Sequence, residues 1–265
     1  MVVFSSILGY LIAANGQGSF LAGILLGIGG LLVTFAANAL NQVLEKDFDI
    51  LMTRTANRPV ATGRMKSSEA VMFAGLSCLF GISILALFNP ITALLGMISL
   101  IIYSFVYTPL KRYSTLAVAV GAIPGALPVM IGFTAFDGTI TMMAISLFAV
   151  QFLWQFPHFW SIGFLGYEDY KKAGYKLLPE RDNGIDRNLG ISSMFYAALI
   201  IPLVLFIYIR LDVSLFSTIS VCVLSCVYIY LSYNFHKKFE RSSALALMFY
   251  SFFYLPLVLF TYWLL

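Results

Sequence analysis

The chain has 265 residues, of which 60% are hydrophobic and 11% charged, with a formal net charge of +4 and a mean hydropathy of +0.91. A soluble domain carries about 25% charged residues, so this composition excludes an ordinary water-soluble fold. The apolar runs are long and continuous, without the alternation of an outer-membrane barrel. The expected class is an all-α polytopic membrane protein, embedded in the lipid bilayer and without a nucleic-acid partner.

A membrane-spanning helix takes about 20 residues. In chain order, apolar runs of that kind fall at 20–44, 69–88, 91–107, 115–134, 140–164, 191–209, 213–234 and 244–264. Residues 1–14 make a ninth, which at 1.5 Å per residue reaches only about 21 Å, so it reads as a partial helix or one cut by a downstream start. Short breaks lie at Asn15–Ser19, Asn89-Pro90, Asp137-Gly138 and Arg210–Asp212, while 45–68, 108–114, 165–190 and 235–243 are longer and charged. With nine helices the four charged loops share one side, and they hold 15 of the 16 basic residues, all but Arg210. Lys and Arg near span ends mark the cytoplasmic side, which puts these loops and the N-terminus there. No linker or composition shift divides the chain, so 1–265 reads as one membrane domain. No cleavable signal or Arg-rich transit segment is visible, which favours a bacterial inner membrane over a mitochondrial one. Cys78, Cys222 and Cys226 lie in apolar runs and read as small packing residues.

Chemistry concentrates on the charged side. Asn41, Glu45 and Asp49 are four apart and stack on one helical face, offering two carboxylates and an amide to a hard cation that prefers oxygen ligands. Arg54 and Arg58 follow closely, suited to bidentate contact with phosphate oxygens. Tyr107 and Lys111, again four apart, sit at another helix end, as phosphate contacts or as an interfacial anchor. A second acidic cluster, Glu168-Asp169-Tyr170-Lys171-Lys172, could hold a second magnesium ion across the bundle, or be a solvated loop. Pro124, Gly125 and Pro128 break helix regularity and either widen a cavity or allow close helix contacts. His158, within Pro157-His158-Phe159-Trp160, is either an interhelical hydrogen-bond partner or a substrate contact. His236 reads as surface.

Taken in order, Asn41/Glu45/Asp49, the run Met52-x-Arg54-Thr55-x-Asn57-Arg58-Pro59, Pro157-His158-Phe159-Trp160 and Asp169-Tyr170…Ala173-Gly174…Leu178-Pro179 resemble the UbiA superfamily of membrane prenyltransferases. Within it they are similar to the branch that farnesylates protohaem, and the resemblance extends over essentially the whole chain. It implies a Mg2+-dependent transfer of the farnesyl group of farnesyl diphosphate to a vinyl group of haem b, with addition of water, giving haem O. By the same resemblance Asn41, Glu45, Asp49 and Asp169 are catalytic and bind metal, with Glu168 as a further ligand. Arg54, Arg58, Lys111 and Lys172 bind diphosphate, assisted by Tyr107. His158, Trp160 and Tyr170 line the haem pocket, His158 as a candidate axial ligand, and haem A synthase or terminal-oxidase assembly factors are partners to consider. Three features depart from the superfamily pattern. Glu45 replaces an aspartate and keeps its charge. The second motif lacks the Asp-x-x-x-Asp spacing, its two positions falling on Gly166 and Tyr170. A basic Lys-Pro-Arg segment before the first helix is missing.

Two other readings compete. A superfamily prenyltransferase acting on an aromatic quinone precursor would share the diphosphate chemistry, but the Pro157–Trp160 run argues against it. A transporter would need polar residues through the full membrane depth, whereas here they gather at one face.

Overall fold

The structure, a computed structural model, describes every residue except Asn183 and Leu265. Its elements are α1 (Val2–Ala14), α2 (Phe20–Leu44), α3 (Lys46–Asp49), α4 (Ser67–Ala86), α5 (Pro90–Ile101), a π-helical turn (Ile102–Tyr107), α6 (Thr108–Leu110), α7 (Ala117–Asp137), α8 (Met142–Leu165), α9 (Tyr167–Lys172), α10 (Asn188–Arg210), α11 (Leu215–Lys238) and α12 (Arg241–Trp263). A two-residue hairpin of β1 (Glu180–Arg181) and β2 (Gly184–Ile185), which apolar patterning does not foresee, folds the longest charged loop.

Seven helical rods, Pro90–Leu110 counted as one, are long and apolar enough to cross a membrane. Against the nine expected, two further rods among the described residues do not meet that measure. α1 has only 13 residues, and α8, with 24, is interrupted by Gln151, Gln155 and His158. The apolar runs set the spans, and neutral caps set where four of them begin. The side chains of Ser19, Asn89, Thr141 and Ser214 each accept a backbone N–H from the first turn they precede, satisfying one of the donors a helix start leaves free. α11 runs past its apolar stretch to Lys238, where His236, Lys237 and Lys238 suit the negative end of the helix dipole.

α7 is the central helix: 78% of its apolar stretch is buried, against 28–39% for the other six spans. It meets α1 backbone to backbone, because a Cβ on Gly9 or on Gly132 would strike the opposite main chain. Its interior prolines withdraw donors, and one neighbour answers. Ser99 Oγ donates to Pro124 O at 3.3 Å, the carbonyl Pro128 cannot serve. Gln155 Nε2 donates to Ala122 O at 2.9 Å and Gln151 Nε2 to Gly125 O at 2.8 Å. In an apolar bundle an unserved carbonyl is costly, and of these contacts only that of Ser99 answers one that a proline leaves; the two glutamine amides tie α7 to α8.

The charged loops meet at one end. Asn41 bonds Thr108, Thr53 bonds Asp169, Lys176 N–H donates to Lys111 O at 2.7 Å, and His236 Nδ1 lies 3.3 Å from Arg187 O.

Candidate active site

The polar centre grows from the end of α2. That helix stops at Leu44, and Glu45 leaves helical geometry (φ −108°, ψ 9°) before α3 begins. No single helix therefore carries Asn41, Glu45 and Asp49, which corrects the uninterrupted helix their spacing suggests. The hydrogen-bond ladder continues across the break, Glu45 N–H to Asn41 O at 2.9 Å and Asp49 N–H to Glu45 O at 2.8 Å, so the three side chains still converge.

All three are buried. Asn41 Nδ2 donates to Glu45 Oε2 at 2.9 Å and to Thr108 Oγ1 at 3.1 Å. Arg58 Nη1 donates to both Asp49 carboxylate oxygens at 2.8 Å and to Asn41 Oδ1 at 3.3 Å, and lies 4.0 Å from Glu45 Oε2. One guanidinium nitrogen thus stands where oxygens of all three residues meet. An all-oxygen set converging on a cation is the donor chemistry a hard divalent ion requires, so the chemistry of these three residues fits magnesium, and the cation they hold here is Arg58.

The other carboxylate oxygen of Glu45 is ion-paired with Lys111 Nζ. Lys111 is buried between the rings of Tyr107 and Tyr175, at 4.9 and 5.4 Å from their centroids. Burial pulls its ammonium below the usual lysine range, and the charge of Glu45 opposes that shift. Among the described residues the buried Tyr175 hydroxyl makes no hydrogen bond of good geometry, and burial, then the negative charge of Glu45 close by, raises its pKa.

These groups enclose a polar cavity of about 140 Å³ lined by Asn41, Glu45, Arg54, Arg58, Tyr107 and Lys111, with Tyr103, Tyr170 and Tyr175 among its walls. Tyr103 and Tyr107 are shared with a largely apolar cavity of about 420 Å³, which runs between α1, α2, α5, α7 and α8 and is walled by Gly121, Pro124, Pro128, Trp154 and His158. Tyr107, Arg54 and Tyr170 are shared with a third chamber of about 290 Å³, beside Phe159 and Leu178. Tyr107 borders all three. It lies on the π-helical turn, a feature often found at functional sites, and its ring fits only because position 121 is glycine: a Cβ there would stand 2.7 Å from it.

Asn41, Glu45, Asp49, Arg54, Arg58, Tyr107, Lys111 and Tyr170 are therefore brought together as their motifs suggest. Four other residues are not. Asp169 accepts hydrogen bonds from Thr53 N–H and Thr53 Oγ1, both at 3.1 Å, and pairs with Lys172 Nζ at 3.8 Å. Its carboxylate staples two loops rather than joining the first cluster. Glu168 is exposed, and Lys172 is largely in solvent. Among the described residues no three His, Cys, Asp or Glu side chains are grouped to hold a metal, so facing acidic clusters do not form. Trp160 packs on Phe156 and Tyr196, away from the cavities, because the helical turn through Pro157 aims its neighbour Phe159 into both apolar chambers instead. Tyr103, Thr108, Tyr175 and Trp154 line or contact these cavities and are missed by motif reading, while Phe159 lies inside the Pro157–Trp160 motif without being singled out from it.

A bundle of apolar helices with acidic and basic side chains meeting at one end, above a deep apolar cavity, is the architecture of a membrane enzyme for amphiphilic substrates. The UbiA prenyltransferase family's sequence model matches residues 2–254, and the chain belongs to this family. It is a multi-pass membrane transferase. A protoheme IX farnesyltransferase of Cytophaga hutchinsonii is 42% identical over 97% of this chain and 90% of its own length. One of Flavobacterium psychrophilum is 41% identical over 97% and 87%. Among solved structures, a digeranylgeranylglyceryl phosphate synthase superposes with a TM-score of 0.82 at 19% identity, covering 99% of this chain and 92% of that one. A UbiA homologue from Archaeoglobus fulgidus bound to GPP and Mg2+ gives 0.64 at 16% identity, covering 100% and 97%. At such identities these two likenesses concern the fold.

Proposed function

We propose that this protein transfers the farnesyl group of farnesyl diphosphate to a vinyl group of haem b, with addition of water, giving haem O and diphosphate. The observation that carries the reading is the sharing of Tyr107 between a cation-lined polar cavity and two larger apolar ones. A prenyl diphosphate needs both environments within one molecule's length, and a bulky aromatic acceptor needs a second apolar chamber beside the reacting carbon. The farnesyltransferase relatives, at 41–42% identity over nearly the whole chain, support the same donor and acceptor.

Each group has a role in that chemistry. Arg54 and Lys111 grip the phosphate oxygens, and Tyr107 and Tyr175 donate hydrogen bonds to them, stabilising charge where it develops as the allylic C–O bond breaks. Asn41, Glu45 and Asp49 would hold magnesium, which when bound neutralises the leaving diphosphate. Arg58 then turns from the carboxylates toward the phosphates. The A. fulgidus homologue, of the same fold, binds GPP and Mg2+, which supports a metal-dependent prenyl transfer without assigning its ligands. Asp169 serves by holding Thr53 and its loop at the mouth. Apolar walls keep water from the allylic cation until the vinyl carbon has attacked. The charged end faces the cytoplasm of a bacterial cell, as the loop lysines and arginines direct.

The test supplies membranes containing the protein with haem b, farnesyl diphosphate and magnesium, and reads extracted haems by mass spectrometry. A hydrated farnesyl haem, absent with Asp49→Asn, is the expected product. Prenylation of an aromatic acid in place of haem would overturn the acceptor. No prenyl transfer to any acceptor would overturn the function.

A further inference from the structure

The reaction proposed above leaves one proton unassigned, and the apolar cavity contains a group shaped to take it. When the vinyl carbon bonds to C1 of the farnesyl group, the C1–O pair departs with diphosphate and a positive charge remains on the porphyrin-side carbon. Water adds there through an oxygen lone pair, and the resulting oxonium must lose a proton to become the hydroxyl of the product.

His158 sits on α8 against α12. Its Nδ1 lies 2.7 Å from Ser251 Oγ, and Ser251 Oγ itself donates to Met248 O at 2.5 Å. A hydroxyl has a single hydrogen. When Ser251 gives that hydrogen to the carbonyl, it accepts from His158 Nδ1–H, and this is the tautomer that leaves Nε2 a lone pair. The ring is fixed in this pose. It stacks on Trp154 at 4.7 Å and meets the edge of Phe252 at 5.0 Å, and the Trp154 indole N–H donates to Ser251 O at 2.9 Å. Nε2 makes no hydrogen bond among the described residues, and His158 lines the 420 Å³ cavity that Tyr107 joins to the polar site. Glu45 and Asp49, the carboxylates of the polar site, are held by Lys111 and Arg58. The amides of Gln151 and Gln155, on the same cavity wall, are not bases.

We propose that His158 is the proton acceptor of the hydration step, its Nε2 taking the proton of the water that adds to the porphyrin-side cation, and that Ser251 is the positioning residue that fixes the required tautomer. The balance closes without a further reactant: one C–C and one C–O bond form, the allylic C–O bond breaks, and the imidazole gains one proton that it later releases. The proposal rests on the haem-farnesylating reading. Without this base, the cation's alternative is to lose a proton from the neighbouring carbon and return to an alkene.

The experiment compares wild type, His158→Gln, Ser251→Ala and Ser251→Thr in membranes with haem b, farnesyl diphosphate and magnesium. It reads product mass, and it reads the visible spectrum of haem b bound without the diphosphate. His158→Gln is expected to bind haem with an unchanged spectrum and to form hydrated product slower by on the order of a hundredfold, accumulating a prenylated haem lighter by one water. Ser251→Ala is expected to accumulate the same alkene to a lesser degree, and Ser251→Thr to restore hydration. If His158→Gln fails to fold, the serine pair alone carries the test. Fully hydrated product from Ser251→Ala, or a changed haem spectrum in His158→Gln with its residual product still hydrated, would overturn the proposal, the latter pointing to iron ligation. Wild type that prenylates no haem would instead defeat the functional reading beneath it.

Discussion

At the scale of single residues, Arg58 and Tyr175 make the sharpest predictions. Arg58 gathers oxygens of three residues around one nitrogen, and lysine would keep the charge but not the planar guanidinium that sets that nitrogen among them. Arg58→Met strands a buried carboxylate, which costs about 3 kcal/mol at the lower end of such losses, since Arg58 retains some solvent contact. We expect thermal unfolding of Arg58→Met at a clearly lower temperature, with Arg58→Lys in between. Tyr175 has a hydroxyl beside cations that makes no hydrogen bond of good geometry among the described residues. A hydrogen bond to a charged group contributes about 1.5–3 kcal/mol, so Tyr175→Phe should raise KM for the prenyl diphosphate by about tenfold or more, leaving KM for the acceptor unmoved. Equal changes in both would show that the ring, not its hydroxyl, matters.

The elements that frame the site differ in how much they depend on single contacts. Loop 50–58 and α9 are joined by the two hydrogen bonds from Thr53 to Asp169. Asp169→Ala should loosen both and speed proteolysis within 166–187, while the magnesium concentration for half-maximal activity stays unchanged. An upward shift in that concentration would make Asp169 a metal ligand after all. On the π-helical turn, Gly121→Ala should lower turnover by displacing Tyr107 without affecting expression. The spans themselves were legible in the sequence, because twenty apolar residues leave a chain little choice but a helix in lipid. The convergence of Asn41, Glu45 and Asp49 was legible too, since it follows from spacing and survives the break at Glu45. What spacing could not decide was direction. Whether Trp160 or Phe159 faces the cavity depends on helical phase across Pro157. Whether Asp169 reaches a metal or a neighbouring loop depends on where the 17-residue connection between α3 and α4 folds back, and Tyr175 in a lysine-rich stretch resembles any interfacial tyrosine.

At the scale of the whole molecule, charge asymmetry fixes the expected orientation. With the native cysteines replaced, Lys66→Cys should react with an impermeant thiol reagent only after permeabilisation, and Gln17→Cys from outside the intact cell. The reverse pattern would invert the active site's side. Chelation of divalent cations should abolish prenyl transfer and be reversed by added magnesium; transfer that persists in excess chelator would dismiss the metal.

Ser19, Asn89, Thr141 and Ser214 all lie at the end opposite the charged loops, and every one of these caps is neutral although aspartate would cap as well. With the charged loops on the cytoplasmic side, as proposed above, each would have to pass through the hydrocarbon layer with its hairpin, where a charged residue at mid-depth costs about 2.5–3.5 kcal/mol on insertion scales. Two of these hairpins already carry charge, Asp137 in one and Arg210 with Asp212 in the other, and hydroxyl or amide caps add none to it before they acquire their helix-starting hydrogen bonds on arrival. Aspartate at all four should therefore spare the folded protein yet reduce the fraction that inserts, a defect of delivery and not of catalysis.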